Sequence, residues 1–333
     1  MTDKQHPSRF ATDAVHSGTQ HIGDAVNTPI FQSSTYKLTD ERYAGWAAGA
    51  QHTLLYARLS TVNSDAVAQK LMALEGGEDA ETFSSGMGAI SATLMALLNQ
   101  GDHMVASADI YGGTYGLLTE EFPRFGISTT MADMRDPASY EAAIQDNTKL
   151  LYIETLTNPV LKVCDIEAMA DVAKRHNLLL LIDNTFASPW GCKPLDMGVD
   201  LVLHSTTKYL GGHSDILGGA VVGSKDLIAQ IFMRKVHFGA APDPHSCYLL
   251  ERGMRTLDVR MPRICDNAYN LAVRLENHPA IERVYHSKLA SHPDFEIAER
   301  ILPNGSGMIA FVVKGGCLLY TSDAADDYSG VAL

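Results

Sequence analysis

The sequence contains short segments that are apolar throughout, separated by segments with helical periodicity. The clearest of them is LLLLI at 178–182. A strand with one face in water would alternate apolar and polar residues, whereas a run without alternation is expected when helices cover both faces of a sheet. In the preceding segment, 165–175, apolar residues recur at i, i+3, i+4 and i+7 from Ile166, which predicts one buried helical stripe. The pattern therefore predicts an α/β fold with a mostly parallel sheet.

The same alternation continues along much of the chain. Strands are predicted at 80–83, 103–106, 127–131, 149–153, 178–182, 201–204 and 220–222, and helices at 65–74, 87–98 and 165–175. Beyond about residue 255, a long helix at 264–277 precedes strands at 281–285 and 308–313. This change predicts a second, smaller α+β domain.

Four regions follow from this reading. Residues 1–60 have little periodicity and many turn formers, which is typical of an arm packed on another surface, and residues 61–255 form the large domain. Residues 256–316 begin the smaller domain. Residues 317–333 do not continue its pattern, so we expect an artefactual or frame-shifted end there rather than a flexible tail.

Charge and cysteine content restrict the class of partner. The formal net charge of −13 argues against nucleic acid and anionic membranes, which attract positive patches, and favours a small-molecule substrate. The five cysteines are scattered without a CxxC pair, which indicates neither a metal site nor a disulfide framework. The polar N-terminus lacks the apolar core of a signal peptide, and no apolar run is long enough to span a membrane. We therefore expect a cytoplasmic protein.

Lys208 follows a predicted buried strand, in the segment HSTTKYLGG at 204–212. Open α/β sheets bind ligands at the carboxyl ends of their strands, and a partly desolvated lysine amine is a nucleophile toward aldehydes. The hydroxyls of Ser205 and Thr207 are suited to binding a phosphate. A lysine in a loop is more often simply solvated, so the prediction depends on what accompanies Lys208.

Two further segments are expected at the same sheet edge. Asp183 ends the strand at 178–182, where a carboxylate needs a cationic partner, although an aspartate there is as often a turn residue. In TFSSGMG at 82–88, a strand leads into a helix near Gly86 and Met87, and backbone N–H groups at a helix N-terminus favour a phosphate. The spacing matches neither a dinucleotide nor a nucleoside-triphosphate loop.

In chain order, SSGM, IYGGTYG, ETLTNP, IDNTF, HSTTKY and ERGMRTLDVRM resemble the Cys/Met-metabolism (transsulfuration) family of pyridoxal-phosphate enzymes. The resemblance implies the fold-type I transferase architecture, with a seven-stranded type of sheet and a smaller C-terminal domain. It also implies pyridoxal 5'-phosphate as cofactor, an amino acid as substrate and a homo-oligomer built as a dimer of dimers. The cofactor-binding residues that it implies are Lys208, Asp183, Gly86, Met87, Tyr111, Asn158, Ser205, Thr207, Tyr56 and Arg58.

Each implied role is specific. Lys208 holds the cofactor as a Schiff base and acts as the base, Asp183 keeps the pyridine nitrogen charged, and Tyr111 stacks on the ring and assists proton transfer. Asn158 touches the ring's phenolic oxygen. Tyr56 and Arg58 match a pair that reaches the phosphate of the neighbouring subunit, which makes the arm an intersubunit element.

The chain departs from the family pattern in two places. Ser60-Thr61-Val62-Asn63 stands where GNPT is common, so the loop behind Arg58 is expected to differ. The family's C-terminal domain also supplies an arginine that grips the substrate carboxylate, and no residue of 317–333 replaces it.

The resemblance implies a carbon–sulfur lyase that performs β- or γ-elimination. Gly113 stands where methionine γ-lyases often carry cysteine, which favours a cystathionine lyase. One alternative is γ-replacement, as in an O-acyl-homoserine sulfhydrylase or cystathionine γ-synthase. The other is a noncatalytic homologue that binds the cofactor alone; an aminotransferase is a weaker fit.

Overall fold

The computed structural model describes residues 7–48, 50, 52–315 and 318–321. The strands are β1 (Asp79–Phe83), β2 (His103–Ser107), β3 (Ser128–Ala132), β4 (Thr148–Glu154), β5 (Leu179–Asp183), β6 (Leu201–Ser205), β7 (Gly219–Gly223), β8 (Ile281–Tyr285), β9 (Ile309–Val313) and β10 (Leu318–Thr321). The helices are α1 (Pro7–His16), α2 (Asp40–Ala47), α3 (Val62–Glu75), α4 (Gly86–Leu97), α5 (Gly112–Gly116), α6 (Pro137–Ala143), α7 (Ile166–Arg175), α8 (Ser188–Gly191), α9 (Lys225–Phe238), α10 (Pro244–Met254), α11 (Leu257–Glu276) and α12 (Phe295–Ile301). Short π- and 3-10-helical turns cover Leu117–Glu121, Phe122–Phe125 and Pro194–Met197.

The main sheet has seven strands in the order β1-β7-β6-β5-β4-β2-β3. The pairs among β3, β2, β4, β5 and β6 are parallel, while β7 pairs antiparallel with both β1 and β6. The mostly parallel, seven-stranded sheet is thus confirmed. The antiparallel strand was not predicted, because a short apolar segment carries no information about its direction.

Strand β5 shows why its sequence is apolar without alternation. Leu180 and Ile182 pack into the core on one face of the sheet, and Leu181 packs into the core on the other. All three are fully buried. Helices cover both faces, so each side chain of the strand has an apolar environment.

Helix α3 begins earlier than its apolar pattern indicated. Thr61 is its N-cap: the Thr61 hydroxyl accepts from Ser64 N at 3.0 Å, and the Ser64 hydroxyl accepts from Thr61 N at 2.9 Å. The unusual Ser60–Asn63 segment therefore starts a helix. Asn63 also ties down the arm, since its side chain accepts from Phe31 N and donates to Pro29 O.

The C-terminal part differs from its prediction at two points. Helix α11 begins at Leu257, not at residue 264, and runs through Pro262. Strand β10 pairs antiparallel with β9. Four residues of the segment 317–333, which was not expected to continue the smaller domain, therefore extend the sheet of that domain. Residues 317 and 322–333 lie outside the described residues.

The arm is more regular than predicted. It contains α1, which contacts α3 and α11, and α2, which begins after the N-cap Thr39. Several of its large apolar side chains remain in solvent, among them Val26 at 85% and Leu38 at 64% exposure. In the part of the chain that the structure describes, no helix is long and apolar enough to cross a bilayer.

Candidate active site

Three strand ends and one helix N-terminus enclose a cavity of ≈ 170 Å³ at the carboxyl edge of the main sheet. It lies at the ends of β4, β5 and β6, beside the start of α4. Its lining residues are Ser85, Gly86, Met87, Ile90, Tyr111, Glu154, Leu156, Asn158, Asp183, Thr185, Phe186, Ser205, Thr207, Lys208 and Leu217. Eight of the ten residues singled out from the sequence meet in this cavity.

Lys208 reaches the cavity from the turn after β6 and is 7% exposed. The turn is closed by backbone bonds from Gly211 N to Thr206 O at 2.8 Å and from Gly212 N to Lys208 O at 2.7 Å. Such a buried amine, in a turn fixed by its own backbone, is directed by the protein rather than by solvent.

Helix α11 supports the same turn from outside. Arg260 Nη1 donates to Tyr209 O at 2.9 Å, and Arg260 Nη2 donates to Gly253 O at 2.9 Å. Gly212 has φ +75°, and a Cβ there would lie 2.2 Å from Arg260 Nη1. The ERGMRTLDVRM segment and the glycine after the lysine therefore form one packed unit.

Ser205 and Thr207 face the cavity beside Lys208. Ser205 N donates to Thr185 Oγ1 at 2.8 Å, which joins the ends of β5 and β6. Gly218 N donates to Thr207 Oγ1 at 3.2 Å, which joins this turn to the start of β7. Both residues are thus fixed by neighbouring strands.

The N-terminus of α4 forms the wall of the cavity next to Ser205. Ser85 is the N-cap, and its hydroxyl accepts from Gly88 N at 3.0 Å. The first N–H groups of a helix, here those of Gly86 and Met87, have no intrahelical partner. A Cβ on Gly86 would lie 2.9 Å from Ser205 Cβ, so glycine lets the helix end approach the hydroxyl-bearing turn.

Asp183 lies at the end of β5, and Glu154 lies beside it at the end of β4, in register. Burial raises the pKa of Asp183, although hydrogen bonds from Thr185 act in the opposite direction. Burial, and secondly the charge of Asp183, raise the pKa of Glu154 well above its usual range. The two neighbouring carboxyl groups therefore titrate as a pair, in which the ionisation of one opposes the ionisation of the other.

A second polar cluster lies on the opposite face of the sheet. His204 Nε2 and Glu75 Oε1 are 2.5 Å apart, and Asn184 Nδ2 donates to the same oxygen at 3.2 Å. Thr155 Oγ1 donates to Asn184 Oδ1 at 2.7 Å. Hydrogen bonds on the face away from the cavity thus join the ends of the three strands that hold Glu154, Asp183 and Ser205.

Tyr56 and Arg58 are the two predicted residues that do not line the cavity. They border another pocket with Gln32 and Pro242, where the Arg58 guanidinium lies 5.6 Å from the Tyr56 ring centroid. Arg58 Nη1 donates to Val236 O at 2.8 Å. Their predicted contact with a neighbouring subunit stays a prediction.

Sequence reasoning missed several cavity residues, among them Glu154 and Thr185, which accept hydrogen bonds from the backbones of Tyr111 and Ser205. Glu154 was part of the quoted segment ETLTNP, but no role was assigned to it. The signal that could have found it is its position: it ends a buried strand at the same edge as Asp183. Among the described residues, no group of three or more His, Cys, Asp and Glu side chains could hold a metal ion.

Comparison with known proteins agrees with this geometry. The family model described as "Cys/Met metabolism PLP-dependent enzyme" matches residues 11–328. The chain belongs to this family. Its members depend on pyridoxal phosphate, which is therefore the cofactor.

Similar proteins carry three different activities in their names. The L-methionine gamma-lyase of Porphyromonas gingivalis is 43% identical over 93% of this chain and 79% of its own length. A probable cystathionine gamma-synthase of Herpetosiphon aurantiacus is 42% identical, over 92% of this chain and 95% of its own length. The crystal structure of cystathionine gamma-lyase from Lactobacillus plantarum with L-serine superposes with a TM-score of 0.86 at 38% identity, over 92% of this chain and 79% of that one.

The residues of the cavity fit the cofactor. The buried amine of Lys208 can bind its aldehyde, and the carboxyl group of Asp183 can pair with its ring nitrogen. Two hydroxyls and a helix N-terminus meet at the other side, closer together than a Cβ at residue 86 would allow. That is the donor set that a phosphate requires.

Proposed function

We propose that this chain is a carbon–sulfur lyase of sulfur amino-acid metabolism, which acts on cystathionine or a related amino acid. The proposal depends mainly on one observation: Lys208 and Asp183 line the same cavity at the carboxyl edge of the sheet. The family's cofactor and the names of two similar lyases support the reaction class.

Each cofactor-binding residue that was predicted from the sequence and lines the cavity has a proposed part. Lys208 holds the cofactor covalently, Asp183 pairs with its ring nitrogen, and Asn158 contacts its phenolic oxygen. Ser205, Thr207 and the N–H groups of Gly86 and Met87 bind its phosphate. Pyridoxal phosphate, when bound, accepts the electrons released at the substrate's α-carbon.

The Lys208 amine and the Tyr111 hydroxyl move the protons. Lys208 removes the α-proton once the substrate has displaced it, and returns a proton at a later step. If sulfur is on the β-carbon, the carbon–sulfur bond then breaks and the thiol leaves with a proton. Water hydrolyses the released enamine to pyruvate and ammonia. If sulfur is on the γ-carbon, a β-proton must leave as well, and Lys208 with Tyr111 carries it.

Gly113 favours cystathionine over methionine within this proposal. A Cβ at residue 113 would lie 2.6 Å from Tyr111 Cε1 and 3.2 Å from Met87 Sδ. The cysteine that methionine γ-lyases often carry there would therefore require a different Tyr111 position.

The second candidate is γ-replacement, which the similar cystathionine gamma-synthase supports. It uses the same residues but adds a thiol in place of the leaving group. Supplying O-acetylhomoserine and sulfide separates the two: homocysteine without comparable 2-oxobutyrate would contradict the lyase and establish replacement.

The proposal extends to assembly and location. The chain acts in the cytoplasm as a homotetramer, a dimer of dimers, in which Tyr56 and Arg58 reach the phosphate of a neighbouring subunit. The exposed apolar side chains of the arm support this role for residues 1–60.

The test begins with the purified chain and added pyridoxal phosphate. We expect a visible absorbance band that borohydride removes, with the label on the Lys208 peptide, and formation of 2-oxo acid and free thiol from cystathionine. A labelled protein without turnover of cystathionine, methionine or O-acetylhomoserine would identify a noncatalytic homologue. Absence of the band would contradict the cofactor site.

A further inference from the structure

Glu154 is a cavity residue with no part in the proposed chemistry. It ends β4, is 4% exposed and lies in register with Asp183 of β5. A carboxyl group is costly to bury, so its position at the centre of the site calls for a physical reason.

The contacts of Glu154 lead to two loops of the cavity wall. Tyr111 N donates to Glu154 Oε1 at 2.7 Å, and the backbone N–H of Asn158 also donates to this carboxyl group. Tyr111 follows β2, and Asn158 lies in the loop after β4, so one side chain fixes two separate segments. These segments carry the proposed ring-stacking and ring-oxygen contacts.

The electrostatic environment of Glu154 is compatible with such a role. Its burial and the neighbouring Asp183 raise its pKa well above the usual range, although the backbone bonds from Tyr111 and Asn158 act in the opposite direction. Glu154 still has oxygen lone pairs with which to accept both backbone bonds.

We propose that Glu154 is a positioning residue, which holds the backbones of Tyr111 and Asn158 in place and through them orients the cofactor. The inference rests on the cofactor site proposed above. It assigns Glu154 no contact with the reacting atoms of the substrate.

The test compares two substitutions with a matched control. Glu154→Ala removes the acceptor, whereas Glu154→Gln keeps an acceptor oxygen of the same reach for Tyr111 N. Asp200→Ala is the control, because Asp200 Oδ2 accepts from Leu180 N at 2.8 Å at the opposite edge of the sheet. Each variant and the wild type are assayed for pyridoxal-phosphate affinity, visible spectrum, cystathionine turnover and thermal unfolding without cofactor.

We expect Glu154→Ala to weaken cofactor affinity by roughly tenfold or more and to shift the visible band, as loss of a buried acceptor predicts. Glu154→Gln should retain affinity within about threefold, because one backbone bond survives. Asp200→Ala should lower the unfolding temperature and leave affinity and spectrum unchanged.

A purely structural role would give another result. Glu154→Ala would then lower the unfolding temperature, as Asp200→Ala does, with the affinity, spectrum and turnover of the folded protein unchanged, and the proposal would be overturned. If Glu154→Ala does not fold, the spectrum and cofactor affinity of Glu154→Asp test the proposal instead. The shorter side chain of aspartate withdraws the acceptor oxygen from Tyr111 N. Failure of the wild type to bind the cofactor would instead overturn the proposed function and the role of Glu154 together.

Discussion

The carboxyl edge of the main sheet and the N-terminal arm differ in which side chains they shield from solvent. At the edge, polar side chains such as Asp183 and Lys208 line a cavity that is formed by the chain's own strand ends. In the arm, Leu38 and Trp46 are 64% and 50% exposed, although both are apolar. The strand ends that line the cavity all come from one chain, whereas the arm offers apolar area that this chain does not cover.

The largest effect is expected at the edge, where Lys208→Ala removes the only proposed covalent link. We expect the borohydride-sensitive band to disappear and turnover to fall by at least roughly 10²–10⁴-fold, since the general base is lost as well. Lys162→Ala is the control, because Lys162 pairs with Asp109 outside the cavity. An unchanged visible spectrum in Lys208→Ala would show that the edge is not the cofactor site.

The next effect concerns the charge at the end of β5. Asp183→Asn removes a carboxylate that should bond to a charged ring nitrogen, which we expect to weaken cofactor affinity by about tenfold to a hundredfold. Burial raises the pKa of Asp183, so affinity in the wild type should decrease as pH falls through that raised value. The measurement is cofactor affinity against pH, and an equally steep decrease in Asp183→Asn would assign the titration to another group.

A smaller effect tests the arm. Trp46→Ser removes an exposed aromatic of α2, and if a second copy covers it the dissociation constant of the oligomer should rise by roughly tenfold to a hundredfold. Phe125→Ser is the control, since Phe125 is 54% exposed but lies outside the arm. Sedimentation of wild type and both variants measures the effect. Equal weakening by both would remove the distinction between the arm and the rest of the surface.

The smallest effect concerns the attachment of the arm to its own chain. His52 Nδ1 lies 3.0 Å from Asp65 Oδ1, and this bond, followed by that to Asp79, raises the pKa of His52 from 6.5 to about 10. A raised pKa stabilises the folded state fully below pH 6.5, and this contribution is lost as pH rises through about 10.

His52→Gln should therefore cost about 1 kcal/mol or less near pH 6 and nothing above pH 10, measured as unfolding temperature against pH. His176→Gln is the control, because His176 pairs with the more exposed Glu141. A cost of His52→Gln that is the same at both pH values would contradict the ion-pair origin.

The sequence predicted what is encoded locally. All seven strands of the main sheet were predicted from the sequence, and Asp183 and Lys208, which follow two of these strands, were assigned to the same edge of the sheet. Strands β4 and β6 extend one residue further than predicted, to Glu154 and Ser205, because a polar residue at the end of an apolar segment does not favour the prediction of a strand. Helix α3 began earlier because hydroxyl capping, not apolar periodicity, fixes its start.

Long-range contacts were not predictable in this way. Glu75 lies 129 residues before His204, and nothing in either segment indicates the other. The bond from Tyr111 N to Glu154 likewise joins segments 43 residues apart. Such pairs become visible only when the sheet order is known, since the order decides which strand ends are neighbours.

The polar cluster of Glu75, Asn184 and His204 has a consequence for redesign of this protein. Side chains alternate between the faces of a strand, so a one-residue slip of β5 would send Asn184 toward the cavity and Asp183 toward Glu75. The misplaced aspartate would then confront a second carboxylate in a dry interior, which is costly. The cluster thus disfavours a misaligned β5. When this sheet edge is transferred to another protein, the residues of both faces should be transferred together.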